Sequence, residues 1–416
     1  MKTLVIDRAS MGMGGIESNY ANVMKHAVLM GYRVVWLTTR AYEETSAFKE
    51  ITDDSRVEKR YVKRTPFGPF YPKTSWAPED EVTVLSSDLL RYLVSNPTLS
   101  RSLCKRFSHV LTVPHFKGFA VFPEKCFDEG RARRYWHRKM AVAAEYLSNN
   151  DLLVGFSQVH LDTYEKNYGV SINGKEHKLI PPVFSLAKPS EEEVAVRASS
   201  RDDGFSIITC TRFDFPHKGY VLGLIRAFAG IHESYPQTRL IVVGYGDGQA
   251  QIDEAVGSLP AEAREAVELT GPLSQEQLKD RMQRCHVNVG VAGSLLRGAE
   301  CALPSIVMRH YTENFEGYGL FEDVGKRMSD EPGEDMTAVL ERLIVCPDEE
   351  YIARSFASFA RVDAISAANP EFLFCRGAAG IEQPPVSALS ARALFFLRFC
   401  FERLVHRSPF EDRDNG

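Results

Sequence analysis

Arg212 and Lys218 stand six residues apart in "CTRFDFPHKG" (210–219), just before a glycine that opens a helical pattern. A guanidinium can grip two phosphate oxygens at once, an ammonium acts as a point charge, and a helix N-terminus adds its own partial positive charge. Together they could cradle a diphosphate; two solvated cations on a surface loop is the plainer alternative. A second stretch, "VAGSLLRGAECALPSIV" (291–307), follows a short apolar run. The backbone N–H groups at Gly293 and Ser294, with Leu295 beside them, would extend such a cradle. Glu300, two turns further on, is too far away for that anion and suits the two hydroxyls of a ribose. Arg297 lies three residues before it, at a spacing that equally allows a simple pair along the helix. Near the start, "MGMGG" (11–15) separates an apolar strand from a helix, so Gly14 and Gly15 could admit a diphosphate to the backbone or merely make a tight turn. A nicotinamide site is disfavoured: Glu17 takes the last glycine position of G-x-G-x-x-G, and the second strand ends in "LTTR" without the expected acid.

The elements that carry these residues alternate strand and helix. "TLVID" (3–7), a helix over 16–30, and "YRVVWLT" (32–38) form a βαβ unit; "HVLTV" (109–113) and "DLLVGFS" (151–157) alternate with helices over 130–147 and 158–168. A double proline in "KLIPPVF" and the charged stretch 188–204, with a short helix, read as a linker. The alternation then restarts with "FSIITCTRF", "RLIVVG", "VELTG", "VNVGV" and "SIVM", each except the last followed by a helix. Continuously apolar strands imply parallel sheets covered on both faces. The fold class is therefore α/β, with two doubly wound Rossmann-like domains, which bind ligands at the carboxyl ends of their strands and would face each other across a cleft. The expected domains are 1–187, a linker over 188–204, 205–360, and a helical tail over 361–416. "ENFEGYGLFEDVG" (313–325) reads as a loop over the ligand.

Composition narrows the function. The 416 residues are 44% apolar and 25% charged, with 50 basic against 55 acidic side chains and a net charge of −5. Nothing there argues for a nucleic-acid partner. The cysteines at 104, 126, 210, 285, 301, 346, 375 and 400 form no CxxC pair and read as buried thiols in a reducing compartment. No signal peptide or membrane span is legible, so a cytoplasmic protein is expected.

In their order, "GMGGIE", "TRFDFPHKG", "LIVVGYGDG", "LTGPLS" and "RGAECALPSIV" resemble the GT4-type glycosyltransferases, which have the two-domain GT-B architecture. The resemblance spans most of residues 1–310 and is weakest over 41–105. It implies that Arg212 and Lys218 bind the diphosphate of a UDP- or GDP-sugar and stabilise it as it leaves, with Glu300 on the ribose. It places Gly14 and Gly15 on the phosphate or sugar, and sets Gly271 and Leu273 beside the base. It implies that His115, in "VLTVPHFKG", is a catalytic residue that positions the sugar or takes part in proton transfer, a histidine merely hydrogen-bonded in a loop being the plainer alternative, and that transfer retains anomeric configuration. No metal and no bound cofactor are expected. One departure stands out: the family has two glutamates separated by seven residues, and counting back from Glu300 reaches Ala292. Two other readings therefore stay open, a nucleotide-sugar 2-epimerase of the same shape and a non-catalytic subunit that binds sugar nucleotide or glycan.

The acceptor would be a glycan or a lipid-linked molecule in cell-surface polysaccharide synthesis. "RARRYWHRK" (131–139) and "RVEKRYVKR" (56–64) interleave basic and aromatic residues, suiting an anionic lipid or a lipid pyrophosphate, or forming only a solvated face. The tail 387–406 is apolar around most of its circumference; it either lies in a membrane interface, making the protein peripheral at the inner face of the cytoplasmic membrane, or packs back on the first domain.

Overall fold

The computed structural model describes residues 1–12, 15–44, 46, 48–100, 104–113, 131–175, 178–180, 186–324, 332–366 and 387–406. The chain forms two compact units, Met1–Phe184 with Ala368–Gly416, and Ser185–Ala367. The charged segment 188–204 thus belongs to the second unit and the terminal helix to the first.

The first unit runs β1 (Lys2–Asp7), α1 (Gly15–Leu29), β2 (Arg33–Thr38), α2 (Arg40–Glu44), α3 (Lys49–Thr52), β3 (Val57–Tyr61), β4 (Glu81–Ser86), α4 (Leu89–Leu99), β5 (Arg106–Val113), α5 (Arg131–Asn149), β6 (Leu153–Gly155) and α6 (Gln158–Tyr168). Its six strands are parallel, in the order β3-β2-β1-β4-β5-β6. Alternate residues of β1 feed two cores: Val5 enters the cluster under α4, α5 and α6, while Leu4 and Ile6 enter the one under α1. Both faces are covered, which is why the strand reads as an unbroken apolar run. β4, a central strand, is hard to see in the sequence because "EVTVLSSDLLRYLVS" (81–95) is one long apolar stretch. The break comes at Asp88, whose carboxylate accepts from the Arg91 N–H and caps α4.

The terminal helix, Ala388–His406, packs on this unit: Ala391 and Leu394 are fully buried in the cluster that holds α4. Gly68, at φ +87°, lies so close that a Cβ there would meet Phe395 at 2.5 Å. The basic run 56–64 mostly becomes β3 and its ion pairs rather than a bare positive surface. Lys59 pairs with Glu43 and Asp53, Arg56 with Asp54, and Arg60 with Glu58.

The second unit comprises α7 (Glu191–Ser199), β7 (Phe205–Arg212), α8 (Tyr220–Ser234), β8 (Thr238–Tyr245), α9 (Gln249–Gly257), α10 (Ala261–Glu265), β9 (Val267–Gly271), α11 (Gln275–Gln283), β10 (Val287–Gly290), α12 (Ala292–Glu300), β11 (Ser305–Met308), β12 (Glu316–Leu320), β13 (Glu334–Asp335), α13 (Thr337–Val345) and α14 (Asp348–Ser366). The strand order is β13-β12-β11-β10-β7-β8-β9, parallel except for β12 and β13. Segment 313–325 is therefore not simply a loop over a ligand: its centre is an antiparallel strand that extends the sheet, an arrangement its two glycines hid by breaking the apolar pattern. The segment 188–204 is bolted to this unit by two buried arginines. Arg197 donates to the carbonyls of Cys301 and Ala302, and Arg201 to those of Leu343 and Cys346 and to Asp348.

Candidate active site

In the second sheet the chain order reverses at β7, so the crevice where such sheets bind ligands opens between the carboxyl ends of β7 and β10. Ile207 pairs with Val287 and Ile208 with Asn288. The two strands therefore end side by side, one strand spacing of about 4.8 Å apart, β10 at Gly290 and β7 at Arg212. Two strand ends separated by some eighty residues of chain thus become neighbours. Arg212 and Lys218 stand on one side of the crevice and the first turn of α12 on the other.

Arg212 ends β7 with its side chain 48% exposed and pairs with Asp214 at 3.2 Å. His217 Nδ1 lies 3.9 Å from the same carboxylate. The Lys218 N–H donates to the Asp214 carbonyl at 2.8 Å, folding the loop back on itself just before α8. Burial lowers the Lys218 ammonium to about 8, with Asp214 opposing the shift and Arg212 adding to it. α8 can begin there because Gly219 and Gly223 admit another loop: a Cβ at either would come within 2.5 Å of the backbone of Thr312 or Asn314. That loop carries His310 and Tyr311, which stack on His217 at 4.9 and 4.8 Å. Asp214, His217 and Tyr311 were not singled out from the sequence; an acid lying between two cations in "TRFDFPHK" was the available signal.

On the other side, Ala292, Gly293 and Ser294 form the first turn of α12, whose N–H groups have no earlier helical carbonyl to bond. Ser294 Oγ turns back to the Val291 carbonyl at 2.9 Å and faces Tyr220 at the start of α8. The Leu295 side chain, by contrast, is buried with Ala299, Phe321 and Val362, leaving only its backbone for a ligand. α12 presses on the sheet so closely that a Cβ on Gly298 would stand 2.4 Å from the Asn288 side chain.

Glu300 lies seven residues beyond Gly293, about 10 Å along the helix axis. It does pair with Arg297, through Oε2 at 2.9 Å. The pair is not on an exposed face, however: the Glu300 side chain is only 15% accessible. Its Oε1 is buried with no hydrogen-bond partner among the described residues. Burial raises the carboxyl above its ordinary range, and Arg297 pulls it back down. A buried acceptor without a donor is costly unless something arrives to satisfy it.

Gly271, at φ +66°, ends β9 on the outer edge of the sheet, and Leu273 packs partly into the apolar cluster of Leu278 and Met282. They are two strand spacings from β7. In the first unit, Gly15 is the first residue of α1 with open space around it, and Glu17 pairs with Arg8 across the turn. Gly14 and His115 lie outside the described residues. Among the described residues no group of three or more His, Cys, Asp or Glu side chains is arranged to hold a metal ion.

The corresponding position of the first sheet, between β1 and β4, is built otherwise. Asp7 and Ser86 pair there, and Asp7 is fully buried. Its Oδ1 accepts from Tyr71 at 2.9 Å and Arg91 at 3.0 Å, and its Oδ2 accepts from Ser86 at 2.8 Å. Ser86 also contacts His109 Nε2 at 2.8 Å, and the far ring nitrogen meets Asn96 at 2.9 Å. Burial pushes the His109 imidazole down to about 3.

Two Rossmann-like α/β units, each with its sheet reversing direction at a central strand, define the fold of the GT-B glycosyltransferases. The solved structures similar to this chain have that fold. HepE from Anabaena, in complex with UDP and glucose, matches with a TM-score of 0.53 at 15% identity, over 90% of this chain and 99% of its own. A glycosyltransferase from Rickettsia africae matches at 0.51 and 10% identity, over 89% and 97%. WaaG, a glycosyltransferase involved in lipopolysaccharide biosynthesis, matches at 0.50 and 13% identity, over 89% and 98%. No protein-family model and no curated protein matches the sequence.

Proposed function

We propose that the protein is a glycosyltransferase that moves a sugar, with retention of configuration, from a UDP- or GDP-sugar to a glycan or lipid-linked acceptor in cell-surface polysaccharide synthesis. The observation that carries this is Glu300 Oε1, a buried acceptor without a donor among the described residues, placed about 10 Å along α12 from a first turn that follows β10, the neighbour of the strand ending in Arg212. That separation suits a nucleoside diphosphate with its terminal phosphate in the crevice and its ribose at Glu300. Similar folds solved with UDP, or named for lipopolysaccharide biosynthesis, support the same reading.

In this mechanism the bond between the anomeric carbon and the diphosphate oxygen breaks as the acceptor hydroxyl bonds to that carbon, and the hydroxyl proton passes to the departing diphosphate oxygen. Arg212, Lys218 and the α12 amides stabilise the charge left on the diphosphate, which is where preorganised cations act most strongly. They take the place of a divalent ion, so chelation with EDTA should leave the rate unchanged; a rate restored by Mg²⁺ or Mn²⁺ would refute this. Gly14, Gly15 and His115 are proposed for the phosphate and sugar, Gly271 and Leu273 for the base. Ala292, which stands seven residues before Glu300 where the resemblance expects a second glutamate, is eight positions back by count and favours the second reading, a subunit that binds sugar nucleotide or glycan without turnover.

Thermal unfolding against UDP, GDP, dTDP, CMP and NAD is the test. One nucleoside diphosphate at about 100 times its Kd should add about 2.7 kcal/mol, a shift of several degrees. Arg212→Ala should abolish it. Silence from every diphosphate would overturn the proposal, and a shift without turnover on any acceptor would select the binding subunit. Peripheral attachment to the inner face of the cytoplasmic membrane belongs to this reading; no described helix is long and apolar enough to cross a membrane.

A further inference from the structure

The terminal helix buries Ala391 and Leu394 against the first unit but turns Leu389, Ala393, Phe396 and Leu397 outward. These positions recur at helical spacing, so they form one exposed apolar stripe. Leu389 is 79% exposed. The stripe is continued by the loop after β3, where Phe67 and Phe70 are each 47% exposed. Phe67 stacks on Phe396 with ring centroids 4.8 Å apart and planes within 9°. Arg392 locks the two segments together, its guanidinium lying 4.1 Å over the Phe70 ring and donating to the Phe67 carbonyl at 3.2 Å. Lys63 sits opposite Phe70 in a two-way backbone bridge. Residues 62–73 and 387–397 hold Lys63, Arg64, Lys73 and Arg392, and neither segment contains an Asp or Glu.

We propose that this surface, the 62–73 loop with the outer face of the terminal helix, docks on an anionic lipid bilayer. Exposed phenylalanine and leucine side chains on two segments that carry cations and no acid match a headgroup interface, where the rings enter the acyl boundary and the cations meet lipid phosphates. A second copy of the chain is a poorer occupant: a two-fold contact would set the same four cations against each other. The helix is therefore packed on the first unit through one face and offered to the membrane through the other, and the two arrangements open to the tail in the sequence are not exclusive. The inference rests on the membrane partner proposed above and gives it a location.

The test is co-sedimentation of the full chain with vesicles of phosphatidylcholine alone and with 30% phosphatidylserine, roughly the anionic content that produces a cytoplasmic-leaflet potential. Binding to the anionic vesicles only, weakened by salt, is expected. Phe67→Ser with Phe396→Ser should lower partitioning about tenfold or more, and Lys63→Ser with Arg64→Ser several-fold. UDP-dependent stabilisation, measured on the same samples, reports folding and keeps the donor site separate: a variant that has lost vesicle binding but still responds to UDP supports the surface. Wild-type protein that responds to UDP and ignores both vesicles overturns it. So does vesicle binding that neither pair of substitutions changes, or a dimer in sedimentation that Phe396→Ser disrupts.

Discussion

The two sheets reverse direction at the same topological position, yet the residues gathered there do opposite things. Between β1 and β4, Asp7, Tyr71, Ser86, Arg91, His109 and Asn96 partner one another, and the carboxylate at their centre is fully buried. Between β7 and β10, Arg212 is half exposed and pairs with Asp214 two residues on, and one oxygen of Glu300 has no partner among the described residues. A strand-end crevice is therefore an opportunity rather than a site. In the first unit it is filled by a brace that ties the 62–73 loop to the sheet; in the second a buried carboxylate oxygen has no partner among the described residues, which is why the ligand is proposed there.

That contrast breaks most visibly at Asp7. Asp7→Asn leaves the Arg91 guanidinium without its carboxylate, a change that costs about 3–5 kcal/mol at buried pairs. Urea unfolding should show it, while the stabilisation conferred by UDP on the variant stays as in the wild type; a variant that unfolds normally but loses UDP would show that the brace is a ligand site after all. At Glu300 the signs reverse. Glu300→Gln should leave stability almost unchanged and weaken UDP by about ten- to a hundred-fold, the worth of a hydrogen bond to a charged group. The 2′-deoxy nucleotide should bind the wild type and the variant equally weakly in calorimetry. Equal losses for both nucleotides would take Glu300 off the ribose.

The smallest effect is on pH. Burial disfavours the charge of Lys218 and lowers its ammonium to about 8. A bound diphosphate favours the ammonium and raises that value. Below pH 8 the proton is already present and affinity is flat; above it, each further pH unit up to the bound value should weaken UDP by as much as tenfold. Isothermal titration at pH 7 and 9 measures this, and Lys218→Arg should remove the dependence. A flat wild-type profile would mean that Lys218 does not face the phosphates.

Much of the second unit was legible because its signals are local. Strand, glycine and helix follow one another in "FSIITCTRFDFPHKG" and in "VNVGVAGS", and the turn chemistry of a few residues announces each boundary. β3, β4 and α4 were not, since 56–64 reads as a basic surface and 81–95 as one apolar run, and neither period nor charge says that Lys59 will meet Glu43 and Asp53. Nor could the sequence show β12, whose identity as a strand depends on the β11 edge it joins.

What the sequence by itself determined is the alternating α/β plan, the cations standing before Gly219, and the carboxylate two turns into α12, because helix period, strand composition and glycine placement act within a few residues. What only the tertiary structure decided is partnership. Which strand ends become neighbours, that Asp7 is satisfied by residues 64, 79 and 84 positions away, and that Glu300 is satisfied at one oxygen only, depend on burial and on donors brought in from distant segments. Desolvation makes each such partner, or its absence, worth several times what it would be in water, so packing separates the brace from the open site although both are built from the same kinds of residue.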